Sequence, residues 1–191
     1  MVADTLILQT KLIPPKPQQP SLYRPRLSDR ILGSLRHRVT LVQAATGYGK
    51  STALAQALVG GKVPLFWYSA AETDADPVVF LLHVVHALRL QLPEIADSTL
   101  AFLRQGPAGG PASWRRAADM LINEIADDLR TESALVIDDF HLVGDAPDIA
   151  HIVTRLADYL PPNVHLILSA RQRPALLPLT RWKVKGHLLE I

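Results

Sequence analysis

No cysteine occurs anywhere in the chain. Its absence excludes a disulfide framework, a thiolate metal site and a cysteine nucleophile, and it accords with a reducing, cytoplasmic setting. The opening Met1-Val2-Ala3-Asp4-Thr5 has no basic stretch, and the apolar run Leu6-Ile7-Leu8 is too short for a signal peptide or a membrane span. Neither a secretory leader nor a membrane partner is expected. Helix-turn-helix spacing, zinc-ligand spacing and a strand face of interleaved aromatic and basic residues are also missing, which argues against direct DNA binding by this segment. No internal repeat, heptad pattern or low-complexity tract is visible. Nor does one sign of charge dominate, since 20 Lys and Arg face 18 Asp and Glu for a net charge of +2.

What the chain does have is apolar material: 48% of its 191 residues are hydrophobic, and a chain of this length buries roughly 70% of its unfolded surface around one core. The charge is unevenly laid out. Residues 1–50 hold eight basic residues against two acidic ones, residues 51–170 seven against fifteen, and residues 171–191 five against one. Two basic ends around an acidic middle fit a nucleic acid. They fit equally well a set of distant segments converging on one compact polyanion such as a nucleotide.

Five prolines fall in the first 25 residues (Pro14, Pro15, Pro17, Pro20, Pro25), and each fixes φ and lacks an N–H. Residues 1–26 therefore read as an extended arm and residues 27–191 as the core. In the core, β-branched or apolar runs at 39–44, 63–70, 134–137, 164–168 and 188–191 have strand length. Helical patterns at 27–35, 51–59, 77–92, 114–129 and 149–160 lie between them, with Asp76 placed to cap the third and Pro77 at its first position. Residues 105–113, rich in Gly and Pro, read as a loop. Continuous apolar strands alternating with helices predict a parallel sheet covered on both faces.

The stretch Ala44-Ala45-Thr46-Gly47-Tyr48-Gly49-Lys50-Ser51-Thr52 sits between the first strand and a helix, where a phosphate-binding loop belongs. Gly47 and Gly49 can take positive φ, so that backbone N–H groups wrap a phosphate at a helix N-terminus. Lys50 would reach the β- and γ-phosphates, the Ser51 hydroxyl would bind Mg²⁺, and Thr52 would lie near the α-phosphate. The strict P-loop pattern has Gly where this chain has Ala44. A P-loop also requires an acidic residue at the carboxyl end of another buried strand, and Leu135-Val136-Ile137-Asp138-Asp139 supplies it. Asp138 would hold Mg²⁺, while Asp139 either polarises an attacking water or caps the next turn. Arg171, just past the fourth run, either reads the γ-phosphate or pairs with the nearby carboxylates; the two roles can coexist. His83 and His86, at i and i+3 of an apolar helix, read as packing or surface residues. Trp67 and Tyr68 read as core, and Arg115, Arg116, Lys183 and Lys185 as solvated.

Several of these segments together resemble one family. Thr10-Lys11-Leu12-Ile13-Pro14-Pro15, Tyr23-Arg24-Pro25-Arg26-Leu27, the Ala45–Thr52 loop, Leu135-Val136-Ile137-Asp138-Asp139-Phe140-His141, Leu168-Ser169-Ala170-Arg171 and Gly186-His187-Leu188-Leu189-Glu190-Ile191 look like the nucleotide-binding domain of the MalT-like, large ATP-binding LuxR-type regulators. These are a branch of the STAND class of signal-transduction ATPases. The resemblance implies a P-loop NTPase fold, with a five-stranded parallel sheet of order 5-1-4-3-2 and helices on both faces. It implies ATP or ADP with Mg²⁺ as ligands. By the same resemblance Gly47, Tyr48, Gly49, Lys50, Ser51 and Thr52 form the phosphate loop, Ser51 and Asp138 hold the metal, Asp139 and Arg171 are the catalytic pair, and Arg24 and Arg26 approach the nucleotide from the arm. The implied function is a regulatory switch with slow or absent hydrolysis, in which ADP holds a resting monomer and ATP promotes self-association. A free-standing ATPase with genuine turnover and a degenerate interaction domain are the competing readings. Relatives continue through a winged-helix lid, an inducer-binding superhelix and a LuxR-type helix-turn-helix, so this chain is expected to be one part of a larger regulator.

Overall fold

The computed structural model describes residues 7–16, 22–105 and 111–191. Five short strands, β1 (Val39–Gln43), β2 (Leu65–Ser69), β3 (Ser133–Asp138), β4 (Val164–Ala170) and β5 (Leu188–Glu190), form one sheet. Every pairing is parallel and the order is β2-β3-β4-β1-β5, which is the expected order read from the opposite edge. Successive strand residues serve opposite faces, as the pleat dictates. Leu135 and Ile137 face the larger core while Ala134 and Val136 face the smaller, and Leu166 and Leu168 oppose Ile167 in the same way. Both faces are covered, so the strands are apolar throughout rather than alternating.

On the smaller face lie α1 (Pro25–Leu32) and α2 (Lys50–Leu58), which contribute Ile31, Leu54 and Leu58. On the larger face lie α3 (Pro77–Arg89), α4 (Asp97–Arg104), α5 (Pro111–Asp128) and α6 (Pro147–Tyr159). α3 contacts β2, α4, α5 and α6, and this encirclement explains why Phe80, Leu81, Leu82, Val84, Val85 and Leu88 are all buried along it. Asp76 caps it, accepting from the Val78 and Val79 N–H groups at 2.8 and 3.1 Å, with Pro77 in the first turn.

Several details depart from the sequence expectations. α4 was not expected at all. Its first residues have no local cap; instead Glu124 of α5 accepts from the Ser98 and Thr99 N–H groups at 2.8 and 3.0 Å, a partner about 25 positions away. A short α7 (Leu179–Val184) is likewise made by tertiary packing, with Trp182 fully buried and its indole N–H donated to Asp158 at 2.9 Å. α5 starts at Pro111, inside the expected 105–113 loop, and α1 starts at Pro25, inside the expected arm. The arm is not wholly extended, because Gln9–Leu12 forms a 3-10 turn that buries Leu12 against β2 and α3. The expectations for residues 1–6, for 17–21 including Pro17 and Pro20, and for 106–110 lie outside the described residues. No helix among the described residues is long and apolar enough to cross a membrane.

Candidate functional site

β1 carries the chain to the carboxyl edge of the sheet, where the Ala44 N–H still reaches the Ala170 carbonyl at 3.3 Å. The loop that follows turns on Gly47 (φ +83°) and Gly49 (φ +74°), and Gly49 is the N-cap of α2. Ala44 does not have positive φ, so its methyl imposes no left-handed strain, and alanine is tolerated where the strict motif has glycine. No side chain caps α2 and its first turn holds no acidic residue, leaving its N-terminal amide groups and dipole directed at the loop. The Lys50 ammonium folds back over the loop and donates to the Ala44 and Ala45 carbonyls at 2.7 and 3.4 Å.

Beside this loop lies a cavity of about 370 Å³, within the range of small-molecule sites. One wall is Gly47, Tyr48, Gly49, Thr52, Ala53 and Gln56; the other is Pro15, Lys16, Leu22, Arg24, Leu27 and Ser28. Arg24 also donates to the Tyr48 carbonyl at 3.4 Å, tying arm to loop. Arg26, one residue into α1, is exposed and does not line the cavity. Lys16 and Ser28 were not singled out from the sequence, where nothing marks them.

Two strands away, β3 ends on Asp138, which is 3% exposed. Its carboxylate accepts the Ser169 hydroxyl of β4 and the Asp139 N–H. Burial pushes its pKa up, against the hydrogen bonds from Ser169 and from Ser51 at the start of α2. The Ser51–Asp138 contact joins the phosphate loop to the acidic strand. Among the described residues no three His, Asp or Glu side chains could hold a metal by themselves. A hard cation here would take Ser51 and Asp138 together with ligand and water oxygens, a donor set that suits Mg²⁺.

Asp139 has φ +52°, a left-handed conformation that Asp tolerates better than most residues. It places the partly exposed carboxylate 3.9 Å from Nδ1 of His141. Both His141 ring nitrogens are buried without a hydrogen-bond partner. Burial lowers the His141 pKa; Asp139 opposes that, Arg171 and Lys50 add to it, and Asp138 opposes it. One imidazole thus lies within electrostatic reach of Lys50, Asp138, Asp139 and Arg171, four residues spread over more than a hundred positions. Arg171 itself is exposed, and no ion pair between it and a carboxylate occurs among the described residues. Ser169 was passed over in favour of Arg171, although a serine at a strand's carboxyl end was the available signal.

No family model matches the chain. It is 32% identical over 187 residues to the HTH-type transcriptional regulator MalT of Serratia proteamaculans, covering 97% of this chain and 20% of that protein. It is 31% identical over 185 residues to the serine/threonine-protein kinase PknK of Mycobacterium tuberculosis, covering 95% and 16%. The chain therefore spans about a fifth of the length of the MalT relative. Among solved structures it resembles a STAND protein with a tetratricopeptide repeat sensor from Pyrococcus horikoshii, with a TM-score of 0.61, 19% identity and coverage of 92% and 23%. It also resembles a chain of the Drosophila ORC complex with AT-rich DNA and Cdc6, with a TM-score of 0.53, 14% identity and coverage of 87% and 55%. At these identities the structural likenesses establish a shared α/β P-loop fold.

Proposed function

Because the chain is a STAND-type P-loop NTPase domain of the MalT-like regulators, we propose that it is the nucleotide switch of such a regulator, binding ADP or ATP with Mg²⁺ and hydrolysing ATP slowly or not at all. The observation that carries this reading is the junction of loop, cavity and acidic strand: Gly47 and Gly49 at positive φ, the cavity of about 370 Å³ beside them, and Ser51 close enough to buried Asp138 to act against its raised pKa. The N-terminal amides of α2 and Lys50 bind phosphate oxygens. The arm and α1 enclose the nucleoside, with Arg24 and Tyr48 at the rim. Ser51 and Asp138 hold Mg²⁺, which when bound neutralises charge on the phosphates.

Asp139 orients the attacking water and takes up its proton, with His141 packed beside the carboxylate. Arg171 answers to the γ-phosphate, so its contribution is larger for ATP than for ADP. Regulation of transcription and ATP-dependent self-association would be exercised through the rest of a longer protein, with this segment supplying the switch.

Titration of fluorescent ADP and ATP into the protein, with and without Mg²⁺, tests the reading. Saturable Mg²⁺-dependent binding is expected, and Lys50→Ala should abolish it. An absence of such binding in the native sequence would leave only an interaction domain. The convergence of Asp139, His141 and Arg171 also favours a second reading, an ATPase with real turnover. Phosphate release above about 1 s⁻¹, in the ordinary range of enzyme rates, would select it over the switch.

A further inference from the structure

The cavity wall that faces the phosphate loop is made partly by the arm, through Pro15 and Lys16. Only a few residues earlier the arm is fastened to the body of the domain. In the 3-10 turn, Lys11 donates to both oxygens of Asp74 at 2.8 Å, and Leu12 is buried beside it. Asp74 is 2% exposed and accepts three further bonds, from the Tyr68 hydroxyl at 2.9 Å, the Ala71 N–H at 2.9 Å and the Thr73 hydroxyl at 3.2 Å. A carboxylate held by so many donors from β2 and the turn after it has essentially one position, and it gives Lys11 one position as well.

The link from Lys11 to the cavity is short and stiff. Leu12 is packed, and Pro14 and Pro15 have φ fixed by their rings, which narrows the directions the arm can take between Lys11 and Lys16. The geometry points to Lys11 and Asp74 as positioning residues of the ligand cavity: their ion pair moors the arm so that Pro15 and Lys16 stand opposite the phosphate loop. The inference rests on the nucleotide reading above and makes a narrower claim. The mooring governs the nucleoside part of the ligand, because the phosphates are gripped by the loop and α2, which the pair does not touch.

The experiment compares two probes on each variant: fluorescent Mg²⁺-ADP, and inorganic tripolyphosphate as its competitor. Lys11→Met should weaken ADP about tenfold and leave tripolyphosphate affinity within twofold of the native value. Lys11→Arg keeps the cation and should keep ADP affinity within about threefold. Because Lys11→Met leaves Asp74 buried without its counter-charge, the double variant Lys11→Met/Asp74→Asn is measured as well, and it should show the same selective loss of ADP. Equal losses for both probes, or unchanged ADP affinity in the double variant, overturn the mooring while leaving the nucleotide reading intact. Failure of the native protein to bind either probe overturns the nucleotide reading and the inference with it.

Discussion

Asp74 and Asp138 are buried to nearly the same degree, at 2% and 3% exposure, yet they titrate in opposite directions. At Asp74 burial pushes the pKa up, but Lys11, the Ala71 N–H and the Tyr68 hydroxyl outweigh it and the net direction is down. At Asp138 burial, joined by the negative charge of Asp139, wins over the Ser169 and Ser51 hydroxyls and the Asp139 N–H, none of which brings a positive charge. The consequences for stability are opposite too. Asp74 stabilises the fold above its unfolded pKa, and that contribution is lost as pH falls through the depressed folded value. Asp138 favours the fold most below its unfolded pKa, and loses that favour as pH rises through the raised folded value. A carboxylate that is costly to ionise in the bare fold is one that a cation would relieve. Asp138→Asn keeps an oxygen to accept from Ser169 and the Asp139 N–H. Without ligand at pH 7.5 it should therefore melt no lower than the native protein, while Mg²⁺-dependent nucleotide affinity falls tenfold or more, about 1.4 kcal/mol. Thermal melts paired with titrations in Mg²⁺ and in EDTA check this, and a lower melting point with intact Mg²⁺-dependent affinity would assign Asp138 a structural role.

Elements whose signals are local were legible in the sequence, and those assembled by distant partners were not. α3 shows the first case: Asp76 accepts from two N–H groups of the first turn and Pro77 follows it, a start signal contained in two adjacent residues. Asp76→Ala should cost about 1 kcal/mol, which for a domain of this size lowers the melting temperature by about 2–4 °C; a circular dichroism melt reads it directly. α4 shows the second case, because its N-terminal amides are satisfied by Glu124 from another helix. The site divides in the same way. The phosphate loop and Asp138 are written in contiguous residues with strand and helix around them. The Ser169–Asp138 hydrogen bond, the place of Lys16 in the cavity wall and the Lys11–Asp74 pair each depend on which strands and turns become neighbours. Arg24 reached the cavity and Arg26 did not, a distinction set by where α1 begins and invisible to composition.

At the scale of the whole molecule, the uneven charge is partly accounted for by pairing across the fold. Lys11 meets Asp74 and Arg181 meets Asp158, while Arg173 and Lys183 pair with Glu190 inside the basic C-terminal stretch itself. Arg171 is a cation of the basic C-terminal stretch without a carboxylate partner among the described residues, and it lies at the carboxyl end of the sheet near Lys50 and His141. An exposed guanidinium that makes no ion pair with a carboxylate among the described residues is suited to a ligand that brings its own negative charge. Nucleotide binding should stabilise the domain by about 2.7 kcal/mol at a free concentration a hundred times the Kd, a rise of about 5–11 °C in melting temperature at 2–4 °C per kcal/mol. Mg²⁺-ADP and Mg²⁺-ATP, each at that multiple of its own Kd for the native protein, should give equal shifts there. At the same two concentrations, Arg171→Ala should lose more of the ATP shift than of the ADP shift, since only ATP carries the phosphate that the guanidinium answers to. Equal losses for the two nucleotides would reduce Arg171 to general electrostatic attraction, and unchanged shifts would remove it from the site.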